Sequence, residues 1–232
     1  MQVKEAIILA GGRGTRLSSV LPYLPKPIAP VGGKAFLNYQ FAYLEAQGIQ
    51  RIILSVGYRR EQIMELLGDS YHSIELCYVS EETPLGTGGA LELALKEVNE
   101  NEVAVLNGDT YFPIDLSQLL ELHLARNADL TLSLRKLEDG SRFGSVIVRD
   151  NLVLEFLEKG KSSSGLVNGG VYVMKSDLLT KQSLKSPYSF ETDAMPLLLK
   201  SKRVIAERFN SYFIDLGIPE DYERAQRECL NW

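Results

Sequence analysis

Residues 6–17 read AIILAGGRGTRL, and this stretch sets the class of fold. Residues 6–10 form a short apolar run without polar alternation, the pattern of a strand buried on both faces. The run stops at Gly11, Gly12 and Gly14. Glycine permits positive φ and lets the backbone approach a ligand closely. Successive N–H groups in such a turn form an anion cradle. Arg13 and Arg16 add positive charge to the same loop. An ordinary glycine-rich turn has the same appearance, so support must come from elsewhere in the chain. Two better-known phosphate motifs are excluded. A dinucleotide fingerprint needs glycine where Leu17 stands, and a Walker loop needs Gly-Lys-Ser/Thr.

Working outward, Leu37, Phe41 and Leu44 fall at i, i+4 and i+7 and predict a helix that Gly48 ends. Residues 51–56 read as a strand and 60–67 as a helix stopped by Gly68. A strand over 74–79, a helix over 89–98, a strand over 103–106 and a helix over 116–126 follow. Such alternation predicts a parallel sheet covered on both faces. The pattern then changes. Residues 130–136, 145–148, 152–158 and 167–174 read as strands, with turn signals at Asp139-Gly140 and Asp150-Asn151. The expected fold is α/β, a Rossmann-like three-layer sandwich with a mainly parallel central sheet and antiparallel additions in the second half. One domain over 1–232 is expected, with halves 1–128 and 129–232 and no linker between them.

Composition narrows the class. The chain is 45% hydrophobic, enough for a substantial core. A net charge of −5 argues against a protein that coats nucleic acid, while leaving a small phosphorylated ligand open. Cys77 and Cys229 form no CxxC pair, so neither a disulfide framework nor a cysteine metal site is expected. The start lacks a signal-peptide pattern, and no 18-residue apolar run occurs. A cytoplasmic protein without membrane or nucleic-acid partners is the expectation.

About ten residues past the glycine loop, Pro25-Lys26-Pro27 holds a lysine between two prolines of fixed φ. LAGGRGTRL followed by PKP resembles the signature of the sugar-1-phosphate nucleotidylyltransferases, and the resemblance covers nearly the whole chain. It implies the nucleotide-diphospho-sugar transferase fold. It also implies that Leu9, Ala10, Gly11, Gly12, Arg13, Gly14, Thr15 and Arg16 hold a triphosphate, with Arg16 and Lys26 at the reacting centre. Glu81 followed by PLGTGGA at 84–90 resembles the family's base-recognition segment, where Glu81, Gly86 and Thr87 would meet the nucleobase. A carboxylate can accept two N–H groups from guanine, which uracil and thymine do not offer in that arrangement. GTP is therefore expected.

Asn107-Gly108-Asp109 closes an apolar strand, so Asp109 stands at a carboxyl end, where open α/β sheets bind ligands. Asp215 lies in the segment FIDLG at 213–217. The resemblance implies that Asp109 and Asp215 hold magnesium against the nucleotide phosphates, with Asp109 counted among the catalytic residues. It assigns Gly144, Glu158, Lys159, Asn168 and Gly170 to the sugar phosphate. Glu158 would bond sugar hydroxyls and Lys159 the phosphate. Taken singly, an aspartate at a strand end is also a cap, and Glu158-Lys159 before Gly160 is also a solvated strand end.

The implied substrates are a nucleoside triphosphate and a sugar 1-phosphate, with a homodimer as the assembly considered. The sugar phosphate attacks the α-phosphorus and pyrophosphate leaves in line. A phosphate monoester has its second pKa near about 6, so it is already nucleophilic at neutral pH. No general base is needed, and neither His72 nor His123 sits in a motif. Positioning and charge neutralisation remain. Two rivals are disfavoured, the first because Arg16, Lys26, Asp109 and Asp215 are all present together. A non-catalytic sugar-nucleotide sensor would show degenerate loops, and a glycosyltransferase would show Asp-x-Asp where Asp109-Thr110-Tyr111 stands. Within the family, PLGTGGA, NGDTYF, LVNGGVY and YFIDLGIPEDY most resemble the D-glycero-α-D-manno-heptose-1-phosphate guanylyltransferases, with mannose-1-phosphate guanylyltransferases next. No appended domain is expected after Trp232.

Overall fold

The structure, a computed structural model, describes residues 2–12, 17, 20–21, 24–140, 142–157, 165–180 and 184–232. The strands are β1 (Glu5–Leu9), β2 (Pro30–Val31), β3 (Lys34–Ala35), β4 (Arg51–Val56), β5 (Ser70–Tyr71), β6 (Ile74–Ser80) and β7 (Glu102–Asn107). The series continues with β8 (Thr110–Tyr111), β9 (Leu130–Leu137), β10 (Ser145–Arg149), β11 (Leu152–Leu157), β12 (Gly165–Lys175), β13 (Val204–Phe209) and β14 (Ile214–Asp215). The helices are α1 (Phe36–Ala46), α2 (Arg60–Leu67), α3 (Gly86–Leu95), α4 (Leu116–Ala125), α5 (Met195–Ser201) and α6 (Pro219–Glu228).

The apolar run that opens the chain is the centre of the architecture. Side chains of a strand alternate between faces. Accordingly Ala6 and Ile8 of β1 enter one core, with Ile52, Leu54 and Ala104, while Ile7 enters the other with Ile53 and Val105. Both faces are covered, so residues 6–8 are apolar, and the buried carboxylate of Glu5 at the start of the strand is met by Arg51 Nη1 at 3.0 Å and Asn99 N at 2.7 Å. β1 pairs in parallel with β4 on one side and β7 on the other, and β6 extends the parallel ladder beyond β4. The chain thus runs outward from β1 through β4 to β6, then crosses back to β7. That reversal is a topological switch point, which in open α/β sheets marks the ligand crevice at the carboxyl ends of the strands.

The second half continues the same sheet. β12 pairs antiparallel with β7 and with β9, and β13 lies parallel to β9. Ten strands result, in the order β10-β11-β13-β9-β12-β7-β1-β4-β6-β5. This is the expected α/β sheet with antiparallel additions, although β13 and α5 come from a stretch where no element was expected. The expected helix at 89–98 begins earlier, at Gly86. Glycine disfavours a helical turn, but here tertiary contacts override propensity. Gly88 N donates to Tyr188 O at 3.0 Å, and a side chain at Gly86 (φ +74°) would put its Cβ 2.3 Å from that oxygen. A separate two-stranded ladder joins β8 to β14, with Asp215 opposite Thr110. Among the described residues no helix is long and apolar enough to cross a membrane.

Candidate active site

A cleft of about 720 Å³ opens at the carboxyl ends of the central strands. That volume lies within the roughly 300–1,000 Å³ of small-molecule sites. Leu9, Ser55 and Asn107 line it and stand in register, Leu9 between the other two. Strand order divides the remaining lining into a β6 side and a β7 side.

On the β6 side, Glu81 follows directly after the strand. Its Oε2 accepts from Leu85 N at 2.7 Å, which ties the carboxylate to the turn leading into α3. Its Oε1 faces backbone: a Cβ added at Gly57 would lie 2.5 Å away, and one at Gly11 3.2 Å away. The absence of side chains at these two positions gives the carboxylate its space. Gly86 and Thr87, also in the lining, begin α3. Thr87 Oγ1 accepts from Phe190 N at 2.9 Å, so the start of α3 is fastened to residues 188–190.

On the β7 side, Lys26 Nζ donates to Asp109 Oδ2 at 2.7 Å. The lysine is only 11% exposed, and its short 3₁₀ turn, Lys26–Ile28, is fixed by Ile28 N donating to Pro25 O at 3.1 Å. Gln40 of α1 clamps the loop that carries Asp109, its Nε2 donating to Asn107 O at 2.8 Å and Thr110 O at 2.6 Å. Leu216 N donates to Asp109 O at 2.8 Å, and the β8–β14 ladder sets Asp215 beside it. Gly217 leaves room for that carboxylate, because a Cβ there would lie 2.5 Å from Asp215 Oδ1.

Asp109 and Asp215 therefore reach one cleft with hard oxygen donors. Among the described residues no group of three or more His, Cys, Asp and Glu could enclose an ion. Two carboxylates, with phosphate oxygens and water filling the other positions, suit magnesium better than they suit a metal that requires an all-protein cage.

The other sequence candidates fall into three groups. Ala10, Gly11 and Gly12 line the cleft. Arg13, Gly14, Thr15, Arg16, Glu158 and Lys159 lie outside the described residues. Gly144, Asn168 and Gly170 are brought together behind the lining. Asn168 N donates to Gly144 O at 3.0 Å, and Gly170 N donates to Asn168 Oδ1 at 3.2 Å. A Cβ at Gly170 would meet Asn107 Nδ2 at 2.7 Å.

Several lining residues escaped the sequence reading. Gly57 and Tyr58 follow the carboxyl end of β4, so the strand-end rule that found Asp109 reaches them too. Ser189, Phe190 and Glu191 carried no local signal. Tyr172 is fully buried, and burial pushes its phenol far up, helped by the nearby charges of Glu191 and Asp109. Neither histidine lines the cleft. His123 is buried, its Nδ1 2.8 Å from Thr131 Oγ1, and burial foremost pulls its pKa down to about 4. His72 is exposed, with Nδ1 3.0 Å from Glu45 Oε2.

The family model described as Nucleotidyl transferase matches residues 5–231. The chain is 46% identical to the D-glycero-alpha-D-manno-heptose 1-phosphate guanylyltransferase of Aneurinibacillus thermoaerophilus, covering 98% of this chain and 99% of that one. Identity to the Campylobacter jejuni enzyme of the same name is 43%, over 94% and 96%. The crystal structure of HddC from Yersinia pseudotuberculosis complexed with GMP-PN superposes with a TM-score of 0.87 at 36% identity, covering 98% of this chain and 100% of that one. With a strand-end cleft that joins a lysine and two aspartates, and with relatives of this closeness along its length, the chain belongs to the nucleotidyl transferase family.

Proposed function

We propose that this protein joins GTP to D-glycero-α-D-manno-heptose 1-phosphate, releasing pyrophosphate and a GDP-activated heptose. The observation that carries the proposal is the convergence of Glu81, Lys26, Asp109 and Asp215 on one cleft, in a chain so similar to heptose 1-phosphate guanylyltransferases. Two polyanions must meet here, and what the protein has to supply is positioning and positive charge. The ammonium of Lys26, held by two prolines and 2.7 Å from Asp109, is suited to offset charge on the triphosphate. Asp109 and Asp215 would hold Mg²⁺, which when bound neutralises phosphate charge. Arg16 would act with Lys26 on the triphosphate, and Lys159 on the attacking phosphate. The attacking group is already an anion, in keeping with a cleft lined by neither histidine.

Glu81 supports a guanine base, because its carboxylate suits a pair of N–H donors. The two halves would work as one catalytic domain, and a GTP-consuming enzyme belongs in the cytoplasm. A matrix of four nucleoside triphosphates against hexose and heptose 1-phosphates, scored by product formed, tests the proposal. GTP with the heptose phosphate should give the highest kcat/KM. A clear lead for UTP or for a hexose phosphate overturns the specificity, and absence of pyrophosphate release in every pairing favours a non-catalytic binding subunit.

A further inference from the structure

Glu191 stands on a single π-helical turn, Phe190–Ala194. Such a turn inserts one extra residue and re-aims the side chains around it, and π turns recur at functional sites. This one is fastened at several points. Phe190 N donates to Thr87 Oγ1 at 2.9 Å, Thr192 N to Ser189 Oγ at 3.2 Å, and Ser189 N to Asp193 Oδ2 at 2.6 Å. Phe190 also meets Tyr172 edge to face, with centroids 5.7 Å apart. The result is a rigid segment that brings Ser189, Phe190 and Glu191 to the cleft.

The carboxylate of Glu191 is held from behind. Asn168 is only 8% exposed, and its Nδ2 donates to Glu191 Oε1 at 2.9 Å and to Tyr172 Oη at 2.5 Å. A primary amide has two N–H donors, and both are spent on these bonds. Its Oδ1 accepts from Gly170 N at 3.2 Å. Asn168 is absent from the cleft lining, whereas Glu191 is part of it. What the buried amide delivers to the cleft is therefore a carboxylate of fixed direction.

The chemistry of that carboxylate limits what it can meet. A phosphate would repel it. Among the described residues it forms no metal-holding group with the aspartates. The carboxylate suited to a base, Glu81, is on the β6 side, whereas Asn168 and Tyr172 lie on β12, next to β7. Hydroxyl donors suit it, because O–H bonds to an ionised acceptor are short and strong. The geometry points to Glu191 as a further carboxylate, in addition to Glu158, that accepts hydroxyl hydrogens of the sugar and selects among sugar phosphates, with Asn168 as its positioning residue. The assignment deepens the function proposed above and rests on it.

Steady-state kinetics on the full chain test it, with KM measured separately for GTP and for heptose 1-phosphate. Glu191→Gln should raise KM for the sugar phosphate roughly 10- to 100-fold, the usual scale for losing a bond to a charged group, and leave KM for GTP within about twofold. Asn168→Ala should reproduce the same sugar-selective defect, and the double variant should be no worse than Glu191→Gln alone, as expected of residues acting as one unit. A panel of singly deoxygenated sugar 1-phosphates adds a signature that general damage would not give. For the analogue lacking the bonded hydroxyl, wild type and Glu191→Gln should perform alike. Equal losses toward GTP and sugar, or an unchanged sugar KM in Glu191→Gln, overturn the proposal even if Asn168→Ala fails to fold. If wild type instead prefers another sugar phosphate, the functional reading is what fails, and the same KM split measured with that sugar phosphate still decides the role of Glu191.

Discussion

The two sides of the cleft are built by different means. Around Glu81 the surface is main chain, with Gly11 and Gly57 leaving a carboxylate no more space than it needs. Around Asp109 it is charge, with a largely buried lysine bonded to one aspartate and a second aspartate delivered by a distant strand. A surface made of backbone discriminates by shape and hydrogen-bond direction, whereas a surface made of charges acts on a reaction in which charge moves. Changes of size on the β6 side should therefore alter affinity, and changes of charge on the β7 side should alter turnover.

The strongest challenge to that contrast is Lys26→Ala. Turnover should fall roughly 10²- to 10³-fold, the scale of removing one preorganised electrostatic donor, while KM for GTP moves little. Activity within a few-fold of wild type would sink the assignment. Next comes Asp215→Asn, or Asp109→Asn, which should raise the magnesium concentration for half-maximal rate by about tenfold or more. An unaltered magnesium titration in both variants removes the ligand assignment.

Gly57→Ala sharpens the comparison from the other side. Its Cβ would sit 2.5 Å from Glu81 Oε1, so the carboxylate must shift. KM for GTP should rise roughly tenfold, in the range that small steric changes cost a pocket, with kcat within about twofold. A loss in kcat larger than the loss in KM would dissolve the division between the sides. The smallest effect on activity is expected at His123, which lies outside the cleft. Burial, with Lys175 nearby, lowers its pKa from 6.5 to about 4 against the opposing pull of Asp129, and Glu102 Oε2 lies 2.9 Å from its Nε2. The unfolded chain therefore takes up the proton first as pH falls. This contribution to stability is complete above about pH 6.5 and is lost as pH drops toward 4, by at most about 1.4 kcal/mol per pH unit. Urea midpoints at pH 7 and pH 5 check it, because His123→Gln should show a smaller difference between the two than wild type.

The parallel half was legible because each element announces itself locally. The apolar runs of β1, β4 and β7 end at turn or strand-end residues, and Gly68 stops α2 where expected. The stretch from 176 to 209 was silent. There the helical part is a π turn followed by the short α5 with Pro196 in its first turn, and β13 is a six-residue strand recognisable chiefly through its pairing with β9. Glu191 was invisible for a related reason: what gives it direction is an amide 23 positions earlier in the chain. Motifs placed Lys26, Asp109 and Asp215 in the candidate site. The same motifs named Asn168 without revealing that its donors point at the protein itself.

The short ladder between β8 and β14 also sets the order in which this molecule becomes competent during its own synthesis. Thr110 and Tyr111 leave the ribosome long before Ile214 and Asp215, and only their pairing places the second aspartate beside the first. On the proposed function, a nascent chain could shape its nucleotide crevice early yet hold half a ligand set. Cellular triphosphate would then be safe from a half-finished enzyme until the last strand docks.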